Sequence, residues 1–270
     1  MAAEIDRITS ASNPLIKRLR GLDRKKQRAE TGLFLAEGAR LIDQALRQDW
    51  AIDTLLVSTS GRSRAATGDL VLRAQTAGAR IVEVPDRLAS TLARKDNPQS
   101  VLAAIQQRPL ALPDTKTDSA ADWIGLYEVR DPGNLGTILR TVDCAGAAGV
   151  VLIEQCCDPY SVETVRASMG SIFDVTLGRA SFADFNTWRQ AQGRRMIAAS
   201  MHGTVAHTEI DFTTPSIILM GNEQSGLPQE VEAQCDQLCR IPMRGGADSL
   251  NLAQATTILT YESWRQRGFK

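Results

Sequence analysis

The chain has little that would tie it to a membrane, a disulfide framework or a metal. No stretch of its 270 residues approaches the roughly 18 uninterrupted apolar residues of a membrane span. The start, "MAAEIDRITSASN", has no apolar targeting core, so a cytoplasmic address is expected. Five cysteines, Cys144, Cys156, Cys157, Cys235 and Cys239, make an odd number. A chain long enough to bury one large core or two modest ones does not depend on disulfides, and free thiols are expected. His202 and His207 are the only histidines, and their spacing with Cys235 and Cys239 matches no usual zinc pattern, so no metal is expected. Both histidines lie in the polar segment "MHGTVAHTE", which disfavours histidine catalysis. Neither G-x-G-x-x-G after a first strand nor G-x-x-x-x-G-K-[ST] is present, which removes the dinucleotide fingerprint and the P-loop.

The formal net charge is zero, yet it is unevenly spread. Residues 1–110 carry 18 Lys and Arg against 12 Asp and Glu, a surplus of six that the remainder cancels. Within the basic part, "NPLIKRLRGLDRKKQR" gathers Lys17, Arg18, Arg20, Arg24, Lys25, Lys26 and Arg28 in twelve residues. As a helix it places Leu15, Leu19 and Leu22 on one stripe and most cations around the rest. Two readings stay open. One is a solvated helix face; the other is a nucleic-acid patch, whose affinity would come from counterion release and fall with salt. Phe34 and Trp50 are the only nearby rings, so stacking on unpaired bases is not the evident mode.

The segment "RPLALPDTKTDSAAD" has two prolines and no periodicity, and it reads as a linker. The expected organisation is α/β in two domains: residues 1–110, a linker over 111–122, and residues 123–270. Before the linker, "LFLAE", "DTLLVS", "ARIVEV" and "SVLAAI" alternate with helical patterns. After it come "WIGLYEV", "GVVLIE", "FDVTLG", "RRMIAAS", "SIILMG" and "QLCRIP". These continuous apolar runs predict a mostly parallel sheet covered on both faces.

Three strand-to-helix junctions carry the chemical signal. In "VRDPGNLGTILRT", Asn134 is a plausible N-cap, Leu135, Ile138, Leu139 and Val142 form the buried stripe, and Gly136 and Arg140 share a face. Arg140 is either a functional guanidinium or the partner of Asp143. In "SIILMGNEQSGLPQE", a strand runs into Gly221, Asn222 and Glu223, at the strand end where open α/β sheets bind ligands. In "IPMRGGADSLN", Ser249 is a plausible N-cap and Leu252, Ala255, Ile258 and Leu259 continue a helix. Each junction alone also reads as an ordinary capped turn.

Together, and in this order, "NLGTILRT", "LMGNEQSGL" and "IPMRGGADSLN" resemble the SpoU, or TrmH, class of RNA ribose 2′-O-methyltransferases within the SPOUT superfamily, over about residues 123–266. "FLAEGARLIDQAL" is similar to the opening of that family's L30e-like substrate-binding domain. The resemblance implies a trefoil-knotted methyltransferase domain, S-adenosylmethionine as methyl donor, and active sites formed across a homodimer. It implies catalytic roles for Asn134, Arg140, Glu223, Ser249 and Asn251. It places the donor at Gly221, Ile241 and Leu250, with Met220 and Met243 beside them. Lys17, Arg18, Arg20, Lys25, Lys26 and Arg40 are the expected RNA contacts. The implied substrate is structured RNA, with ribosomal RNA favoured over transfer RNA. A binding module without activity and a base-nitrogen methyltransferase are the alternatives. Cys156 and Cys157 receive no role.

Overall fold

A computed structural model of the chain describes residues 5–93, 99–113 and 121–269. The chain divides into two compact units, one of Met1–Arg108 with Asp158–Phe173, the other of Pro109–Cys157 with Asp174–Lys270. This differs from two contiguous stretches: a segment from the second half of the sequence completes the first unit. Residues 114–120 of the expected linker lie outside the described residues.

The first unit contains β1 (Asp6–Arg7), α1 (Pro14–Gly21), α2 (Lys25–Thr31), β2 (Leu33–Glu37), α3 (Ala39–Arg47) and β3 (Ile52–Ser58). It continues through α4 (Thr59–Arg62), α5 (Ala65–Thr76), β4 (Arg80–Val84), α6 (Asp86–Ala93) and β5 (Val101–Gln106). Its sheet runs β1-β4-β3-β5-β2, parallel except where β5 meets β3 and β2. Asn13 caps α1 through its side chain, Pro14 opens the helix, and Ile16, Leu19 and Leu22 are buried in a cluster with Leu56, Val82 and Leu102. Asp158 and Phe173 explain why their segment belongs here. Buried Arg28 donates from Nε and Nη2 to Asp158 Oδ2 at 3.0 and 2.7 Å. Trp50 Nε1 donates to the Phe173 carbonyl at 3.0 Å, and Phe34 packs against Trp50, Tyr160 and Phe173. The rings of Phe34 and Trp50 are therefore core, not base-stacking platforms.

The second unit follows the order β6 (Trp123–Tyr127), α7 (Pro132–Cys144), β7 (Gly149–Ile153), β8 (Leu177–Ala180), α9 (Phe182–Ala191), β9 (Arg195–Ala199), β10 (Val205–Ala206), β11 (Ser216–Met220), α10 (Gln229–Glu232), β12 (Gln237–Arg240) and α11 (Leu252–Gln266); the helix between β7 and β8, α8 (Val162–Ala167), belongs to the first unit. The sheet β10-β12-β9-β11-β6-β7-β8 is parallel throughout, and β7 and β11 are buried along their whole length. Continuous apolar strands require both faces covered, which is what this burial shows. "FDVTLG" enters the sheet later than its apolar run, at Leu177.

Helix α11 departs from the expected stripe. Leu252 and Leu259 are buried, but Ala255 and Ile258 are half-buried, and Thr256, Thr260 and Ser263 face inward. Thr256 and Thr260 donate to the carbonyls of Leu252 and Thr256 at 2.8 and 2.7 Å, so the helix itself satisfies its buried hydroxyls. Its far end is fastened by Asp122, 1% exposed, which accepts from Ser216 N at 2.9 Å, from Ser263 Oγ, and from Arg267 Nη1 and Nη2 at 3.1 and 2.7 Å. No helix among the described residues is long and apolar enough to cross a membrane.

Removing that carboxylate takes an acceptor from the Arg267 guanidinium, the Ser216 amide and the Ser263 hydroxyl at once. Asp122→Ala is expected to lose about 3–5 kcal/mol of stability, the range for breaking a buried pair. Urea unfolding followed by circular dichroism measures it, and a loss below about 1 kcal/mol contradicts the clasp.

Candidate active site

The three junctions meet through one carboxylate. Glu223, just beyond β11, accepts from the backbone N–H of Arg130 at 3.1 Å (Oε2), from that of Asp131 at 3.0 Å (Oε1) and from Asn134 Nδ2 at 3.2 Å (Oε1). Asn134 Oδ1 in turn accepts from Asn251 Nδ2 at 2.9 Å. Burial pushes the Glu223 carboxyl up, and the donations from Arg130, Asp131 and Asn134 outweigh it, holding the group below the ordinary glutamate value. Glu223 is thus an anion at neutral pH whose two oxygens are already engaged.

Helix caps fall elsewhere than expected. Asp131, not Asn134, caps α7, accepting from Asn134 N at 2.7 Å with Pro132 at the first helical position. Asn251, not Ser249, caps α11, accepting from Ala253 N and Gln254 N at 2.9 and 3.3 Å. Asn134 is released from capping, and its amide bridges Glu223 to Asn251. Asp131-Pro132 was the signal in the sequence that would have placed the first cap.

The turn carrying Glu223 is tightly built. Asn222 and Gly226 exchange backbone hydrogen bonds at 2.9 and 3.0 Å, and Gly226 has φ +67°. Asn222 Nδ2 donates to the Glu128 carbonyl at 2.8 Å, while its Oδ1 accepts from Gln224 N and Ser225 N. A Cβ on Gly221 would lie 2.4 Å from the Gly226 carbonyl carbon, so only glycine lets the turn fold back. Below it, Cys156 Sγ donates to the Leu126 and Ile153 carbonyls at 3.2 and 3.3 Å, and Cys157 N to the Val129 carbonyl at 2.8 Å. These cysteines brace the segment that feeds Glu223.

β9 pairs with β11, and β12 pairs with β9, all parallel, so their carboxyl ends lie at the same edge. Ser200 N donates to the Cys239 carbonyl at 2.9 Å, and a Cβ on Gly203 would strike the Cys239 backbone at 2.6 Å. Glu232, 8% exposed, accepts from Ser200 Oγ at 2.5 Å and pairs with His202 Nδ1 at 2.9 Å. The sequence reading missed Ser200, His202, Gly203 and Glu232, although the rule that ligands bind beyond strand carboxyl ends points to the end of β9 as well.

The expected donor residues surround this edge unequally. Gly221 is buried, Ile241 half-buried, and residues 242–250 are exposed, including Met243 at 45% and Leu250 at 38%. Met201 is 76% exposed in the β9 turn. Met220, at 2%, has its side chain in the core and faces the edge only through backbone. Accessible thioether and aliphatic groups with backbone polar atoms fit a nucleoside ligand, and the loop 241–251 adds one exposed cation, Arg244.

Arg140 and Ser249 are not drawn into the network. Arg140 is exposed, about 9 Å along the helix axis from Asn134, and forms no ion pair among the described residues, Asp143 included. Ser249 is exposed. Burial pushes the Cys235 thiol up to about 12 and the Cys239 thiol up to about 11, so neither supplies a thiolate at neutral pH. Among the described residues no cluster of three His, Cys, Asp or Glu could hold a metal. In the first unit Lys17, Arg18, Arg20, Lys25, Lys26 and Arg40 are exposed; Arg18 pairs with Asp53 at 2.6 Å and Lys26 with Glu30 at 3.9 Å.

The chain is similar to several known proteins. Residues 123–261 match the model of the SpoU rRNA Methylase family, and residues 13–103 that of an MRM3-like substrate binding domain. A 23S rRNA (uridine(2479)-2′-O)-methyltransferase of Streptomyces viridochromogenes is 32% identical, over 91% of this chain and 87% of that protein. The 23S rRNA (guanosine(2553)-2′-O)-methyltransferase RlmP of Bacillus subtilis is 29% identical over 94% and 97%. The crystal structure of an AdoMet-bound rRNA methyltransferase from Sinorhizobium meliloti superposes with TM-score 0.91 at 41% identity, covering 97% of this chain and 98% of that one. A tRNA (cytidine(34)-2′-O)-methyltransferase of Ancylobacter novellus, 35% identical, covers 54% of this chain and is itself covered to 92%.

Glu223→Gln replaces one acceptor oxygen by a donor that faces other donors, and is expected to lose about 1–3 kcal/mol at pH 7. The wild-type carboxyl is depressed in the folded state, so its contribution is complete above the unfolded glutamate value of 4.5 and falls as pH drops through the lower folded value. Denaturant unfolding from pH 7 to pH 3 should therefore show the gap between wild type and variant narrowing only below about pH 4.5; a constant gap contradicts the network.

Proposed function

The chain belongs to the SpoU rRNA Methylase family, and from that membership we infer that it transfers a methyl group from S-adenosylmethionine to a ribose 2′-hydroxyl of structured RNA, with 23S ribosomal RNA as substrate. The observation that carries the reading is the junction of three separate motifs on the Glu223 carboxylate at the carboxyl edge of the parallel sheet. Relatives acting on 23S rRNA align over both units, while the tRNA (cytidine(34)) relative aligns over about half of the chain, which favours the ribosomal substrate.

S-Adenosylmethionine, when bound, supplies an electrophilic methyl on a sulfonium. Gly221, Ile241, Met243 and Leu250 hold it, with Met220 contributing backbone and the Ser200–Gly203 turn forming a further wall. Glu223, Asn134 and Asn251 position. Their hydrogen bonds fix the first turns of α7 and α11 against the end of β11, and the same donations hold the Glu223 carboxyl below the ordinary glutamate value, which makes it a weak base. Ser249 and Arg140 meet the substrate. A guanidinium stays protonated at neutral pH, so Arg140 grips the target nucleotide's phosphate and polarises the hydroxyl without acting as its base. Holding the two reacting atoms in line is the main catalytic task.

We assign the working form to a homodimer whose partner helps complete each site, in line with the family's architecture, and the carboxy-terminal segment to a trefoil knot, a rare exception to unknotted folds. Lys17, Arg20, Lys25, Lys26 and Arg40 provide the RNA-facing charge, with Arg18 held partly by Asp53. We assign it to the cytoplasm, in line with its bacterial 23S rRNA methyltransferase relatives.

Nucleoside digestion and mass spectrometry of 23S rRNA incubated with protein and donor is expected to yield a ribose-methylated nucleoside; a methyl on a base nitrogen, or none, overturns the assignment. Arg140→Lys is expected to slow single-turnover transfer by roughly ten- to a hundredfold, because an ammonium cannot reproduce the bidentate fork. A near-wild-type rate removes Arg140 from the chemistry.

A further inference from the structure

We propose that Glu232 is a positioning residue for the methyl donor: its buried carboxylate holds the turn after β9 in the shape that receives the nucleoside of S-adenosylmethionine. This rests on the methyltransferase reading, in which Gly221 and Ile241 touch the donor. Strand order places the turn between them. β9 lies between β11 and β12, and the register pairs Ala198 with Leu219 and Ala199 with Cys239. Continued by two residues, it sets Ser200 level with Gly221 and Met201 level with Ile241. The two flanking residues stand two strand spacings apart, roughly 10 Å, so a nucleoside that touches both lies across the end of β9.

Glu232 grips that turn at two points. Ser200 Oγ donates to Oε1 at 2.5 Å and itself accepts from His202 N at 3.0 Å, while His202 Nδ1 pairs with Oε2 at 2.9 Å. The grips fall on either side of Met201, whose exposed thioether stands at the tip. Gly203 N closes the turn on the Ser200 carbonyl at 3.1 Å, and Val205 and Ala206 then pair with Cys239 and Arg240, just before Ile241. The shape of the turn and the start of the loop 241–251 are therefore set together.

The carboxylate is itself anchored from below. Leu227 and Val231, on the segment that runs from Gly226 to Glu232, are buried in one cluster with Met196, Ala198 and Leu219, so α10 is rooted on β9 and β11. One short segment thus carries the Gly221–Gly226 turn at its start and steadies the Ser200–Gly203 turn at its end. Taking a carboxylate out of water is unfavourable unless its oxygens find donors, and an apolar residue here would extend the cluster instead. What glutamate adds is a pair of acceptors on the turn. At 8% exposure it acts through Ser200 and His202, which leaves contact with the donor to the turn.

Calorimetry of S-adenosylmethionine binding to the full-length protein tests this, with Asp236→Asn as the matched control. Asp236 Oδ2 accepts from Met196 N at 2.7 Å and from Arg189 Nη1 at 2.8 Å, so it fastens the opposite ends of β9 and β12. Glu232→Ala is expected to bind the donor about tenfold more weakly, the effect of one lost buried hydrogen-bonded group, and Asp236→Asn to bind as wild type does. In steady-state transfer to 23S rRNA, the KM for the donor rises with the loss of affinity, while kcat at saturating donor and the KM for RNA stay within about twofold of wild type. Unchanged donor binding by Glu232→Ala, weakening that Asp236→Asn matches, or a fall in kcat with donor affinity intact overturns the assignment. Thermal melts confirm folding. Should Glu232→Ala not fold, Ser200→Ala breaks the same bond from the other side and is expected to weaken donor binding by about threefold or more against the same control. Wild type that binds no S-adenosylmethionine sinks the methyltransferase reading itself, whereas wild type that binds it equally well without Glu232 sinks only the positioning role.

Discussion

The catalytic unit is organised by the acceptor capacity of one carboxylate. Glu223 stands at the end of β11, and the groups it binds, two backbone amides and the Asn134 side chain, stand at the end of β6 and in the first turn of α7. Taking a carboxylate part-way out of water is unfavourable unless its oxygens find donors. Here the donors are amides whose positions follow from the neighbouring strand, so the cost of desolvation becomes a requirement on geometry. Asn134 extends that requirement to α11 through Asn251. Three segments distant in sequence are thereby held in one register.

The same helix is held at its other end. Asp122 precedes β6, as Arg130 and Asp131 follow it, and Asp122 binds Ser263 and Arg267 at the carboxyl end of α11. A helix of 15 residues, roughly 22 Å long, thus lies antiparallel to β6 with both termini fastened to residues that flank that strand. Between these points the packing is not conspicuously apolar, since Thr256, Thr260 and Ser263 face inward. Hydrogen bonds at the ends supply orientation that a bland stripe would leave loose.

Much of this was legible in the sequence. The strands of the parallel sheet announce themselves as unbroken apolar runs, and Glu223, Asn134 and Asn251 stand at junctions that strand and helix signals locate. What was not legible depends on which of two suitable residues wins. Asn134 and Ser249 both satisfy cap preferences, yet Asp131 gains from Pro132 after it, and Asn251 reaches two amides at once. Periodicity also says nothing about partners 130 residues apart, so the Arg28–Asp158 pair and the Phe34, Trp50, Tyr160 and Phe173 cluster, which assign residues 158–173 to the first unit, came only with the structure. The half-burial of Ala255 and Ile258 has the same origin: helical spacing marks a stripe, and neighbouring elements decide how much of it they cover.

The polar groups of each unit divide into those already engaged by several partners and those left exposed. Glu223, Asp122, Arg28 and Glu232 are each engaged by two or more partners, so a substrate could bind them only by breaking bonds already made. Arg140 and Ser249 in one unit, and Arg20 and Arg24 in the other, are exposed; Arg140, Arg20 and Arg24 form no ion pair among the described residues. An exposed guanidinium gains little from a surface pair, because water and salt screen it, and gains far more when a phosphate displaces that water. Glu223 sits where a base could stand, but three donations already hold its carboxyl below the ordinary glutamate value, so in this fold the acid fixes the frame of the three junctions.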